Sequence, residues 1–242
     1  MNWILCLCRN GLHLTKKAVA SFKAQDIAVN ILIIDNDSND GTSQWLQTQD
    51  LTVSFQRPPL SVAESWNHGL QYIFKKHTRC LVVNNDVELL PQTYSTLLQD
   101  GGPFVTAVGQ NKPIKDFTWN REVFQARPHP DFSCFMIRRN AYYKIGPFDE
   151  KFKGAYCEDS DYHCRMHKLG IDAHCINLPF YHHASGTIKN ADKEEVKRIQ
   201  RHADSNREYF QKKWGFTVGS PEYEAYFNTS KEMILVPPTV GR

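Results

Sequence analysis

The sequence predicts an α/β fold: a mostly parallel central sheet with helices on both faces, then a C-terminal helix and an extension. Three observations carry this expectation. Apolar, β-branched runs alternate with stretches of helical apolar spacing. The runs are continuous, as in strands buried on both faces. Three of them end at polar clusters, and sheets of this class bind ligands beyond the carboxyl ends of their strands.

The elements follow in order. "WILCLC" (Trp3–Cys8) reads as a strand, and Leu14–Gln25 is helical, with apolar residues at Leu14, Ala18 and Phe22. "VNILII" is a second strand that stops at Asp35, and the loop "DNDSNDGT" offers Asp40 or Thr42 as a cap for a short helix. "LTVSFQ" is a third strand, broken by Pro58-Pro59. Ser61–Lys76 is a helix whose Ser61 and Glu64 have capping-box spacing. "CLVV" (Cys80–Val83) is the fourth strand. Beyond it "PFVTAVG", "DFSCFMIRR" and "IDAHCI" read as strands, Glu158–Gly170 as a helix, and Ala191–Gly215 as a long charged helix. The segment from Trp119 to His129 is an aromatic, basic insertion. Residues 1–215 therefore read as one domain and residues 216–242 as an extension with few periodic signals.

Composition narrows the class. The 242 residues are 41% hydrophobic and 23% charged, as expected of a globular chain able to bury a large core. A formal charge of +3 gives no general reason to expect a nucleic-acid partner. Seven cysteines, odd in number and set in apolar segments, read as buried reduced thiols in a cytoplasmic protein. Cys6 and Cys8 fall on one face of their strand. No apolar run approaches the roughly 20 residues of a membrane span, and the start lacks the basic region of a secretory leader. Asn228-Thr229-Ser230 fits a glycosylation acceptor only by chance in such a protein.

The chemistry-bearing residues lie where the strands end. Arg9-Asn10, Asp35-Asn36-Asp37 and Asn84-Asn85-Asp86 each close a strand, so three polar clusters share one rim. Asn84-x-Asp86 fits a turn stabilised by Asx hydrogen bonds. It equally fits a site for magnesium or manganese, hard ions that keep positions open for phosphate oxygens. His182 and His183 follow a later strand and supply imidazoles, which suit manganese better than magnesium. Glu158-Asp159 open a helix, where capping and a functional role both favour carboxylates.

Read together, "LIIDNDSNDGT", "SWNHGL", "LVVNNDVEL", "IRRNAYYKIGPFDEKF", "YCEDSDYHCRMHKLG", "YHHASGT" and "NREYFQKKWG" resemble, in order and separation, the GT-A-fold glycosyltransferases. This is the large, mostly inverting family with rhamnosyl- and galactosyltransferase-like members. The resemblance runs from about Trp3 to Gly215. It implies a Rossmann-like GT-A fold and transfer from a nucleotide-diphosphate sugar by direct displacement, with a divalent metal, Mn2+ or Mg2+. It also implies roles for individual residues. Asp35, with Asp37 and Arg9 near it, would read the donor's base or ribose. Asn67 would either assist the donor or tie its helix to a neighbouring loop. Asn84-Asn85-Asp86 stands at the DXD position, with Asp86 the metal ligand and Asn84 a donor contact. Asp159 would be the catalytic base and Glu158 its companion. His182 would be the late metal ligand, with His183 the alternative. The acceptor would meet Trp119, Arg121 and Tyr156, with Arg127, His129 and the basic long helix available to an anionic one. Arg165 is expected to pair with a carboxylate of its own helix.

Asn84 departs from the pattern, since the family carries an Asp there. One negative charge is lost, which weakens metal binding unless a histidine compensates. The acceptor class stays open among glycan, lipid-linked saccharide, protein and modified nucleic acid. Two rivals remain. A nucleotide-sugar pyrophosphorylase would need a Gly-rich phosphate loop after the first strand, where "CRNGLHLTKK" is a poor candidate. A catalytically decayed sugar-nucleotide-binding subunit would have little reason to keep Asp35, Asp86, Asp159 and His182.

Overall fold

A computed structural model describes residues 1–111, 113, 130–183, 193–227 and 235–236. The first half alternates as expected: β1 (Asn2–Cys8), α1 (Leu12–Lys23), β2 (Val29–Asp35), α2 (Thr42–Gln47), β3 (Thr52–Phe55), α3 (Val62–Phe74) and β4 (Arg79–Asn84). There follow β5 (Val87–Glu88), α4 (Thr93–Asp100), β6 (Phe104–Gln110), β7 (Cys134–Arg138), α5 (Arg139–Ile145), α6 (Glu158–Lys168) and β8 (Ala173–His182). The chain continues through α7 (Lys193–Trp214), α8 (Pro221–Phe227) and β9 (Leu235–Val236). Trp119, Arg121, Arg127, His129 and Asn228 lie outside the described residues.

The strands form one sheet in the order β3-β2-β1-β4-β7-β6-β8-β5, with β9 beside β8. Strands β1 to β4 pair in parallel, as do β6 and β8. Strand β7 runs antiparallel to both β4 and β6, and β5 antiparallel to β8. The sheet is thus mixed, more so than continuous apolar runs suggest, because strand direction is set by distant pairing and not by local pattern. One consequence matters for function. The start of β7 lies beside the end of β4, so the residues before β7 join the same rim.

Period-2 alternation divides the core between two faces. Ile4, Cys6, Cys8, Ile31, Ile33 and Leu81 pack with Phe22 of α1 and Tyr94 of α4. Leu5, Leu32, Ile34 and Val82 pack on the other face with Trp66 of α3, Tyr142 of α5 and Tyr162 of α6. Helix α3 starts on the expected capping box: Ser61 Oγ accepts from the Glu64 N–H at 3.2 Å, and Glu64 accepts from the Ser61 N–H at 2.7 Å. It lies so close to β1 that a Cβ at Gly69 would collide with Leu5. All seven cysteines are buried with free thiols. A third cluster joins Phe152, Cys157 and Cys164 to Phe210 of α7 and to Tyr223 and Phe227 of α8. Among the described residues no helix is long and apolar enough to cross a membrane.

Candidate functional site

A cavity of about 1030 Å³ opens on the rim beyond the ends of β1, β4 and β8. Its wall includes Arg9, Asn84, Asn85, Asp86, Glu158, Asp159, His182 and Tyr156, drawn from positions far apart in the chain.

The junction between β4 and β8 explains how Asp86 meets its histidine. Strand β4 ends where the Asn84 N–H donates to Ser133 O at 3.0 Å. After a tight turn, Val87 pairs with His182 and Glu88 with Tyr181. This short ladder fixes the parity of β8 and turns His182 toward Asp86, whose Oδ1 lies 3.3 Å from His182 Nε2. The other ring nitrogen, Nδ1, lies 3.4 Å from Ser133 Oγ. Ser133 Oγ in turn bonds Asp131. Such carboxylate-linked partners orient a ligating imidazole. His183 points elsewhere: its Nε2 is 2.6 Å from Glu88, and its backbone N–H donates to Asp86 O. This parity sets His183, the alternative ligand, against Glu88 and His182 against Asp86.

One carboxylate and one imidazole fit a hard or borderline divalent ion that completes its shell with phosphate oxygens and water. Among the described residues no group of three or more His, Cys, Asp or Glu side chains forms a protein-only metal cage.

Four residues expected at the donor end have partners within the protein. Asp35 is 1% exposed and is absent from the cavity wall. Its carboxylate accepts from Ser43 Oγ, from the Ser38 N–H at 3.3 Å and from the Cys8 thiol at 3.7 Å, so it organises the loop after β2. Asp37 also lies off the wall and pairs with Arg57 at 3.7 Å. Asn67 is 1% exposed and fully engaged. Its amide nitrogen donates to Phe148 O and Glu150 Oε1, and its oxygen accepts from the Phe148 N–H and Tyr142 Oη. It ties α3 to the loop after α5, the structural alternative named above. The side-chain amide of Asn85 donates to Asn10 O and Thr15 Oγ1, holding the turn against α1.

Glu158 and Asp159 form the acidic wall. Both belong to the first turn of α6. Burial pushes the Glu158 carboxyl well above the ordinary carboxylate range, and the neighbouring Asp159 charge adds to this. Its Oε2 is buried without a hydrogen-bond partner among the described residues. Burial also raises the Asp159 carboxyl, opposed by the Ser160 N–H, which donates to Asp159 Oδ1 at 2.7 Å.

The Glu158 shift has a stability consequence. Between the ordinary value of 4.5 and the raised one, the folded protein binds more protons than the unfolded chain, so stability falls as pH rises through that window. Glu158→Gln is therefore expected to raise Tm by about 2–4 °C at neutral pH, corresponding to roughly 1 kcal/mol in a chain of this size. The gain should vanish below the ordinary glutamate range. A Tm difference that is the same at every pH would contradict a buried charge as its source.

Residues of the long basic helix and of the loops beside it complete the cavity. Glu195, Arg198, Ile199 and His202 recur on one face of α7 and line it. Arg9 Nη1 donates to Asn36 O at 3.1 Å, and Arg9 Nε lies 3.2 Å from Glu195, which also holds Arg198 at 2.6 Å. Lys153, from the loop before α6, pairs with Glu64 at 2.8 Å. The available signal was the spacing 195, 198, 199, 202 within a helix that otherwise reads as a solvated surface. Asp131 and Ser133 were discoverable only as a polar pair preceding a buried strand.

No protein-family model and no curated protein match the sequence. Solved structures do match in three dimensions. The chain is similar to the mannosyltransferase PcManGT from Pyrobaculum calidifontis in complex with GDP-Man and Mn2+, at 13% identity and TM-score 0.60, over 94% of this chain and 72% of that one. It is similar to S. aureus TarS at 14% identity and TM-score 0.58, over 90% of this chain and 44% of that one. It is also similar to GalNAc-T7 with UDP, GalNAc and Mn2+, at 13% identity and TM-score 0.60, over 95% of this chain and 54% of that one. The chain thus spans about half the length of the last two. Likeness at such identity defines a fold class, an α/β Rossmann-like architecture. That fold is GT-A, the fold of these glycosyltransferases.

Proposed function

We propose that the protein transfers a glycosyl group from a nucleotide-diphosphate sugar to an acceptor nucleophile, with inversion at the anomeric carbon. One observation carries this reading: a single cavity on the sheet rim brings Asp86 and His182 together with the acid pair Glu158-Asp159. Its volume suits an activated sugar, and its two polar ends suit two different tasks.

Asp86 and His182 are the residues that would hold a divalent ion with the donor's diphosphate, and Asn84 lies beside them. A bound ion supplies positive charge that offsets the charge developing on the leaving phosphate. Arg9 and Arg198 add cationic groups to the wall, both paired with the single carboxylate of Glu195. Asp159 takes the proton of the acceptor as the acceptor attacks the anomeric carbon from the face opposite the leaving group. Its raised basicity favours that transfer. Glu158, its carboxyl pushed up by burial, stands beside Asp159 in the same helical turn. Tyr156, Lys153 and His202 border the acceptor side. The reaction needs no covalent enzyme intermediate.

Calorimetry with UDP and GDP, with and without Mn2+, tests the donor end. Binding of one nucleotide is expected to strengthen with Mn2+, and His182→Ala and Asp86→Ala should each weaken the Mn2+-dependent affinity by at least about 10–100-fold, the scale for losing only an outer partner of a metal ligand. Donor hydrolysis with the configuration of the released sugar followed by NMR tests the chemistry. No nucleotide binding under any condition would favour the decayed subunit, and a retained configuration would remove the single-displacement mechanism.

A further inference from the structure

Asn206 lies on α7 one helical turn beyond His202 and is 2% exposed. Its amide nitrogen is 2.8 Å from Lys153 O, 2.9 Å from Ala155 O and 3.0 Å from Tyr156 O. Its amide oxygen accepts from the Lys153 N–H at 3.0 Å. One side chain thereby meets four backbone groups in a loop that has neither ladder nor helix to meet them.

The loop needs such a partner. Tyr156 and Cys157 have φ of 82° and 70°, a region that residues with a Cβ occupy only where their surroundings over-determine it. Glu158 and Asp159 follow at once. Cys157, the N-cap of α6, makes no side-chain capping bond. The direction of the first turn of α6 is therefore set by the loop before it. Other ties hold the segment elsewhere. Tyr209 Oη and Lys213 Nζ both bond Asp149, upstream of the loop, and the Val62 N–H donates to Gly154 O. None of these reaches the carbonyls of Ala155 and Tyr156.

We infer that Asn206 is a positioning residue whose carboxamide holds the 153–157 loop in the conformation that aims Glu158 and Asp159 into the cavity. The inference rests on the role proposed above for that pair. A carboxamide is the right group, since it offers donors to several carbonyls and an acceptor to one N–H. A carboxylate of the same shape would set oxygen against three carbonyl oxygens.

The test uses the full chain carrying Asn206→Ala, Asn206→Leu or, as a comparison, Tyr209→Phe. Carbon-13 NMR titration of the Glu158 and Asp159 carboxyls, assigned by signals lost in Glu158→Gln and Asp159→Asn, reads the position of the pair. Calorimetry with UDP and GDP in Mn2+ reads the opposite end of the cavity. In both Asn206 variants the pair is expected to titrate about one pH unit lower as water reaches it. Nucleotide affinity should be unchanged. Tyr209→Phe should lower Tm without moving the titration. The other titratable groups facing the pair (Asp131, Tyr156, Cys157 and Tyr223), and Arg207 beside Tyr156 and Cys157, are the same in every variant. An unmoved titration in a folded Asn206 variant overturns the inference. So does loss of the folded state in both variants, which would make Asn206 a residue of general stability. If the unsubstituted protein binds neither nucleotide, the transferase reading fails separately and the titration still decides the role of Asn206.

Discussion

Asp159→Asn is expected to lower turnover by about 10²–10⁴-fold, the contribution of a positioned general base, while UDP or GDP affinity in Mn2+ stays near that of the unsubstituted protein. The change is conservative in shape. An Asn oxygen can still accept from the Ser160 N–H, which bonds Asp159 Oδ1 at 2.7 Å, so the first turn of α6 should persist. What is lost is the ability to take a proton. The unsubstituted protein should show a matching pH dependence. Burial raises the Asp159 carboxyl above its ordinary value of 3.8, and a base works only when ionised, so kcat should fall as pH falls through that raised value. In Asp159→Asn this acidic limb should be absent from whatever activity remains. Normal turnover in the variant, with the acidic limb intact, would move the base elsewhere on the cavity wall, with Glu158 the first alternative.

The elements that were legible in the sequence are those written in local pattern. Strands β1, β2 and β4 are runs of adjacent apolar residues, and the Ser61–Glu64 capping box depends on residues three apart. Helices α4 and α5 are short and lack side-chain caps, so nothing local announces them. The reversal of β7 is likewise invisible, because Cys134–Arg138 would read the same in either direction. Strand β8 runs on through Pro179, beyond the expected end, where a register shift against β6 interrupts the ladder.

The candidate site was legible to the same degree and for the same reason. Asp86, Asp159 and His182 could be placed at element ends from sequence, and the structure gathers them on one cavity. The choice between His182 and His183 needed the β5–β8 register, a contact between residues nearly a hundred positions apart. Asp35 shows the opposite failure. A carboxylate at a strand end looks the same whether its partner is a ligand or the Ser43 hydroxyl, and only packing separates the two. The wall contributed by α7 was hidden because a helix dense in charge resembles solvated surface until its Glu195–His202 stripe meets Arg9.

Asp161→Ala is expected to cost about 3 kcal/mol of stability, the lower end of the range for removing one partner from a buried ion pair. Asp161 is fully buried at the junction of α6 with the end of α7. Its Oδ2 accepts from Arg165 Nε at 2.9 Å, the same-helix pairing expected from sequence. Its Oδ1 accepts from Trp214 Nε1 at 2.9 Å and lies 2.6 Å from Lys213 Nζ. Without the carboxylate, two cations and an indole N–H lose a common acceptor. The effect should fall short of the largest measured cases. The Arg165 and Lys213 side chains retain 19% and 27% exposure, and Lys213 keeps Asp149 at 2.6 Å. Roughly 3 kcal/mol corresponds to a Tm decrease of about 6–12 °C in a chain of this length. Salt should change it little, because the carboxylate is inaccessible to counterions. Pairing Asp161→Leu with Arg165→Met should recover part of the loss, since Arg165 is then no longer stranded and Lys213 keeps Asp149. A urea midpoint in Asp161→Ala within error of the unsubstituted protein would mean that packing between the two helices, and not this carboxylate, fixes the α6 end of the cavity wall.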